Sequence, residues 1–178
     1  MDTSNRSNEF QTPPEIARYM CSMIPRNART YLEPSPGNGN LVDAILQHAH
    51  EYSGRGSQIE VPVNFFTTLD PDLRFDCILM NPPFSAAHAF GIPKHLDLKG
   101  MKVGYYFLEE CMKKSNHVIA LMPIFTITDS DVRNRAFKAY GLKSITSLPR
   151  KTFQYTRIQT CILELDRTWK GPTEFRFY

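Results

Sequence analysis

Apolar positions along the chain recur with two spacings, and the switching between them predicts alternating strands and helices. Pro13 and Pro14 open a predicted helix that runs to Met23, since proline is tolerated in a first helical turn, and Pro25 stops it. Residues 29–32 predict a short strand leading into a turn over 33–40. Leu41, Ala44, Ile45 and His48 then return at helical spacing. Residues 50–57, with Gly54 and Gly56, predict a loop; 59–66 and 74–80 predict strands. The stretch 85–100 is polar and broken by Pro and Gly, the pattern of a mobile active-site loop. Further on, the pattern predicts a helix over 103–114 and an apolar strand over 117–122 ended by Pro123. A helix over 130–140 follows, with Ser130 as its N-cap and Gly141 behind its last turn. The last predicted strands are 142–148 and 160–165, the latter expected to pair antiparallel near the sheet edge. This alternation predicts an α/β fold with a doubly wound, mostly parallel sheet.

A length of 178 residues fits one domain with a buried core. Hydrophobic and charged fractions of 42% and 22% are ordinary for a soluble globular protein. The net charge of +3 is too small to mark a nucleic-acid binder. Its distribution changes the picture. Arg133, Arg135, Lys138, Lys143, Arg150, Lys151 and Arg157 stand together without an acidic residue among them. Such a run is usually a solvated face, but beside a base-binding site it is a candidate phosphate contact. No stretch approaches the roughly 18 apolar residues of a membrane span, and residues 1–9 are too polar for a signal peptide. A cytoplasmic protein is expected. Cys21, Cys77, Cys111 and Cys161 are widely spaced in apolar segments, and the histidines show no ligand spacing, so reduced thiols and no metal are expected.

Two turns carry the candidate chemistry. Asn81-Pro82-Pro83-Phe84 follows an apolar strand, at the end where open α/β sheets bind ligands. Consecutive prolines fix φ and remove two backbone donors, so the turn presents carbonyl acceptors in a stiff frame. The Asn81 side-chain oxygen adds a second acceptor and Phe84 an aromatic face, a geometry suited to a planar amine such as that of adenine. A strand ending in a proline turn would give the same tripeptide. In the second turn, Gly37 and Gly39 let the backbone pass close to a ligand. No Gly-Lys-Ser/Thr follows, and no third glycine stands at dinucleotide spacing, which weakens both phosphate readings. Glu33 disfavours a phosphate and suits a cationic amino-acid head group.

Together these segments resemble the S-adenosylmethionine-dependent DNA adenine-N6 methyltransferases of the gamma motif order, of bacterial or phage type. Phe10-Gln11-Thr12-Pro13-Pro14-Glu15 is similar to the N-terminal cofactor motif, Glu33-Pro34-Ser35-Pro36-Gly37-Asn38-Gly39 to the glycine-rich motif, and Asn81-Pro82-Pro83-Phe84 to the catalytic motif. Phe153-Gln154-Tyr155-Thr156-Arg157-Ile158 is a weaker match to the region whose aromatic ring covers the extruded base. The resemblance implies a Rossmann-like class I methyltransferase fold, one catalytic domain over 1–178 and no separate target-recognition domain. It implies S-adenosyl-L-methionine held by Phe10, Gln11, Thr12, Glu33, Pro34, Ser35, Gly37, Gly39, Phe66 and Asn81. Thr12 would hold the methionine carboxylate with its hydroxyl and backbone. Asn81, Pro82, Pro83 and Phe84 would be catalytic, Phe84 and Phe153 would sandwich the base, and no metal would take part. The partner would be DNA, with sequence specificity drawn from loops, a homo-oligomer or a separate specificity subunit.

Two departures from the family stand out. The interval between Gly39 and Asn81 is short, and neither Glu51 nor Glu60 fits the ribose-binding acid that the family places at the end of its second strand. Where the family has Asp-Phe, this chain reads Asn64-Phe65-Phe66: the aromatic contact is kept, and the carboxylate is either lost or supplied by Asp70. An Asn-Pro-Pro turn accepts any planar amine or amide, so RNA adenine, a protein glutamine or a non-catalytic binding role remain the alternatives; the N-terminal motif and Phe153 favour DNA.

Overall fold

The computed structural model describes residues 10–53, 56–84, 102–153 and 158–178. Residues 1–9, the predicted loop 85–100 and the 154–157 part of the Phe153 motif lie outside them. The helices are α1 (Pro14–Cys21), α2 (Asn40–His48), α3 (Lys102–Lys114), α4 (Phe125–Thr128) and α5 (Asp131–Tyr140). The strands are β1 (Thr30–Leu32), β2 (Gln58–Glu60), β3 (Cys77–Met80), β4 (His117–Pro123), β5 (Leu142–Ser147), β6 (Thr160–Asp166) and β7 (Glu174–Phe177). They form one seven-stranded sheet in the order β2-β1-β3-β4-β6-β5-β7. All neighbours run parallel except β6, which is antiparallel to β4 and β5.

Apolar side chains alternate between the two faces of each strand, which gives the sheet two cores. On one face Tyr31, Leu79, Ile119 and Ile162 meet Ile16 and Met20 of α1 and Ile45 of α2. On the other, Ile78, Met80, Ala120 and Leu163 meet Leu108 of α3 and Phe137 of α5. β4 is buried along its whole length. Helix α5 starts where Ser130 accepts the Arg133 N–H at 3.3 Å, and it ends at Gly141, whose φ of 126° no other residue adopts readily.

Three expectations need correction. Residues 160–166 are not near the edge: β6 lies inside the sheet between β4 and β5, and the edge beside β5 is β7. The predicted strand over 59–66 ends at Glu60. Its alternation of Ile59, Val61, Val63 and Phe65 suits a strand, but Pro62 offers no N–H, and Asn64 bends the chain by accepting the Phe66 N–H on its side chain at 3.0 Å. The chain then crosses from β2 to β3 without a helix, covering α3 with Phe65, Phe66 and Leu69. The predicted loop over 50–57 begins instead as a π-helical turn, Ala49–Ser53, which extends α2. Helix α4 was not expected. No helix among the described residues is long and apolar enough to cross a membrane.

The basic run is divided by the fold. Lys143 is the bulged residue between two β5–β6 pairs, and it turns to Glu164 Oε1 at 2.7 Å. Glu164 is buried and also accepts from Ser144 Oγ at 2.8 Å and faces Arg176 of β7 at 3.5 Å. Arg133 lies 5.4 Å over the Tyr105 ring. Arg150 and Lys151 remain exposed at the carboxyl end of β5 beside Phe153, and Arg157 lies outside the described residues.

Candidate functional site

Strand β1 is flanked by β2 on one side and β3 on the other, so the connections leaving β1 and β2 run in opposite senses. At such a reversal the carboxyl ends of neighbouring strands open a crevice between their loops. Glu33 follows β1 and Asn81 follows β3, and the two turns are joined there: Ser35 Oγ donates to the Asn81 carbonyl at 3.1 Å. Both turns singled out by sequence therefore meet in one place.

The Asn81 side chain is fixed from one side. Its amide nitrogen donates to the Phe10 carbonyl at 2.7 Å and to Thr12 Oγ1 at 3.1 Å. With both amide hydrogens engaged, Oδ1 is turned the opposite way, and it takes no hydrogen bond among the described residues. Thr12 is buried. It is not a helix cap: Pro13 occupies the N-cap of α1, which has no side-chain cap. The Thr12 carbonyl accepts from Asn40 Nδ2 at 2.9 Å, tying the first turn of α2 to the same segment.

The glycine turn is closed by the same N-terminal segment. Gly37 and Gly39 have φ of 53° and 88°, and the Asn38 N–H between them donates to Gln11 Oε1 at 2.8 Å. A Cβ on Gly37 would run into the Gln11 carboxamide, whereas one on Gly39 would meet nothing. Gly37→Ala is expected to lower stability by about 1–2 kcal/mol from the left-handed backbone alone and to expel the Gln11 side chain. Thermal melts of Gly37→Ala and Gly39→Ala check this: the Gly37 variant loses more, and Gln11→Ala in the same chain recovers the difference.

Glu33 is a buried carboxylate, 1% exposed. Its Oε1 accepts the Ser35 N–H at 2.8 Å and lies 3.3 Å from Ser35 Oγ. Its other oxygen takes no hydrogen bond among the described residues. Burial pushes its pKa up from 4.5 to about 8, against the lowering effect of the Ser35 contacts.

The aromatic residues are placed less simply. Phe84 is largely buried, edge-on to Phe10 with ring centroids 6.2 Å apart, and α3 approaches it at Gly104, whose added Cβ would lie 3.5 Å from the ring. Phe153 is buried in the same core. Both rings would have to move to stack on a base. Phe66 stacks on Tyr106 at 5.4 Å and packs edge-on to Phe107 at 4.5 Å, half-buried against α3. Asp70 is not a substitute carboxylate for this crevice: its carbonyl accepts Lys114 Nζ at the last turn of α3, by the amino ends of β3 and β4 and so at the opposite end of the strands. Glu60 is better placed than sequence suggested. It is the last residue of β2, exposed, and its carbonyl accepts the Glu33 N–H at 3.1 Å. Its strand-end position was hidden by the overlong strand prediction. No cluster of metal-ligating side chains occurs among the described residues.

Sheet, crossover and paired turns define the class I S-adenosylmethionine-dependent methyltransferase fold. A putative member of that class from Listeria monocytogenes superposes with a TM-score of 0.65 at 14% identity, over 96% of this chain and 65% of that one. The methyltransferase subunit of a type I restriction–modification system from Streptococcus thermophilus superposes with a TM-score of 0.71 at 15% identity, over 95% of this chain and 47% of the other. By sequence the chain is similar to the type II methyltransferase M.HincII of Haemophilus influenzae: 33% identity over 95 residues, 47% of this chain and 19% of that enzyme. The chain thus spans about a fifth of the length of the curated relatives it matches. No family model matches it.

Proposed function

We propose that the chain transfers a methyl group from S-adenosyl-L-methionine to the exocyclic N6 amine of adenine in DNA. The observation that carries this is the Asn81 amide, locked by Phe10 and Thr12 with its oxygen free, one hydrogen bond away from the turn that bears the buried Glu33. The residues fit the cofactor: a buried, half-satisfied carboxylate suits an ammonium group, and the glycine turn admits a close approach. Glu33 would take the amino-acid head group, with Thr12, Ser35 and the glycine turn around it, and Glu60 the ribose hydroxyls. When bound, S-adenosylmethionine supplies a methyl group made electrophilic by its sulfonium.

The chain's own part is to prepare the amine. Adenine's amino nitrogen is a weak nucleophile because its lone pair is shared with the ring. Asn81 Oδ1 and the Pro82 carbonyl each accept one N–H, drawing the nitrogen toward a tetrahedral shape and freeing the lone pair. Pro82 and Pro83 keep that acceptor pair rigid, so positioning and electrostatics supply most of the rate. The base must first leave the duplex, after which Phe84 and Phe153 enclose it, at roughly 1–3 kcal/mol of stacking per ring. Arg150 and Lys151 would meet the backbone phosphates.

Tritiated methyl transfer to duplex DNA, RNA and protein acceptors tests the substrate class. Label in DNA, recovered as N6-methyladenine, is expected; label in protein or RNA alone refutes the proposal. Thr12→Val is expected to weaken cofactor binding by about 1 kcal/mol, several-fold in Kd, and to lower turnover further by releasing the Asn81 amide. Thr12→Ser keeps the hydroxyl and recovers both, as calorimetry and transfer rates can check.

A further inference from the structure

We propose that the outer edge of β7 pairs antiparallel with β7 of a second copy of this chain, about a twofold axis through Phe175. The proposal is independent of the function argued above. Tyr178 N–H donates to Ser147 O at 3.1 Å, so by the period of two the amides of Glu174 and Arg176 also face β5. Those of Phe175 and Phe177 face outward. Strand β7 is the end of the sheet order, so this row of donors and acceptors has no partner strand among the described residues.

Sheet edges are usually blunted by shortness or charge. The opposite edge, β2, is three residues long and ends in the exposed Glu60. β7 instead presents Phe175 and Phe177, 57% and 83% exposed, on one face with their rings 5.2 Å apart. Two such rings on one short edge form an apolar patch that water does not favour.

Charge selects the occupant and the register. A twofold axis at Phe175 places its outward amide opposite that of the second Phe175, an arrangement in which both N–H···O bonds form. It also sets Glu174 opposite Arg176 in both directions, two opposite-charge cross-strand pairs. Shifting the axis to Arg176 sets arginine against arginine. Of these two registers, only the one centred on Phe175 sets opposite charges against each other. Arg176 is held in place for this by Glu174 at 2.6 Å and by the buried Glu164 at 3.5 Å. The resulting contact is isologous and closes at two copies.

Sedimentation velocity over roughly 1–100 µM, the range of a modest interface, tests it. The mass is expected to rise from 20.5 kDa toward twice that value. Phe175→Pro removes the outward-facing N–H together with the exposed ring, leaves the amides that face β5 in place, and is expected to abolish the dimer with the circular dichroism unchanged. If that variant fails to fold, Phe177→Lys and Glu174→Lys, both on exposed side chains, decide: each should weaken association at least about tenfold. In the wild type, exchange of the Phe175 amide should slow as concentration rises. A monomer at every concentration overturns the proposal, and so does a dimer that survives Glu174→Lys and Phe177→Lys.

Discussion

Asn81→Ala is expected to lower methyl transfer by two to three orders of magnitude or more, the usual effect of deleting one preorganised polar group at a reacting centre. Cofactor affinity should change little, because Glu33, Ser35 and the glycine turn stay intact. The variant removes the one side-chain oxygen that faces away from the Phe10 and Thr12 anchors. Asn81→Asp is a sharper control. It keeps an acceptor, yet it loses both donors and brings a negative charge toward the Phe10 carbonyl, so the anchoring is lost. Its activity should fall nearly as far. Transfer rates from tritiated cofactor, set beside calorimetric Kd values, separate the two effects. Full activity in Asn81→Ala would remove the acceptor-pair mechanism.

Glu33→Gln should weaken cofactor binding by roughly ten- to a hundredfold, since a charge-assisted hydrogen bond is worth about 1.5–3 kcal/mol. The pH dependence is more telling. Folded Glu33 keeps its proton to about pH 8, whereas the ordinary value for the unfolded chain is 4.5. Between those values the folded chain holds the extra proton, so this group's contribution to stability falls as pH rises through that window. Below it both states are protonated and the dependence vanishes. Ionising Glu33 without a partner costs a few kcal/mol. A cationic head group removes that cost, so binding should release a proton below about pH 8 and tighten as pH rises toward it. Calorimetry in buffers of different ionisation enthalpy reads the proton directly. The Gln variant should release none, and its melting temperature should match the wild type at or below about pH 4.5 and exceed it near pH 8.

Much of this architecture is legible in the amino-acid order because it rests on local rules. Ser130 and Gly141 bracket α5 through caps that act within a turn of the helix. The run from His117 to Met122 is apolar throughout, as a strand covered on both faces must be. The Asn-Pro-Pro and glycine turns announce themselves by residues with few other uses. What escaped depends on distant partners. Nothing around Thr160 reveals that β6 enters between β4 and β5, since an apolar strand reads alike in either direction. The bond from the Asn81 amide to Thr12 joins residues 69 positions apart, which no local pattern reveals. Glu60 is recognised as a strand end only when Pro62 and Asn64 are seen to stop the strand just behind it.

The interior position of β6 bears on how the chain is made. β4 leaves the ribosome with β3 already available on one side, but its other edge waits until Thr160–Asp166 has emerged. For that interval the nascent chain carries β4, a strand buried along its whole length in the finished fold, with one edge unpaired beside β3 and α3. Pausing during synthesis of α5 or β5 would hold it there, exposed to chaperones or to another nascent copy. The order in which the strands are translated is thus not the order in which they lie: β1 and β3, β4 and β6, and β5 and β7 are neighbours that each skip a strand.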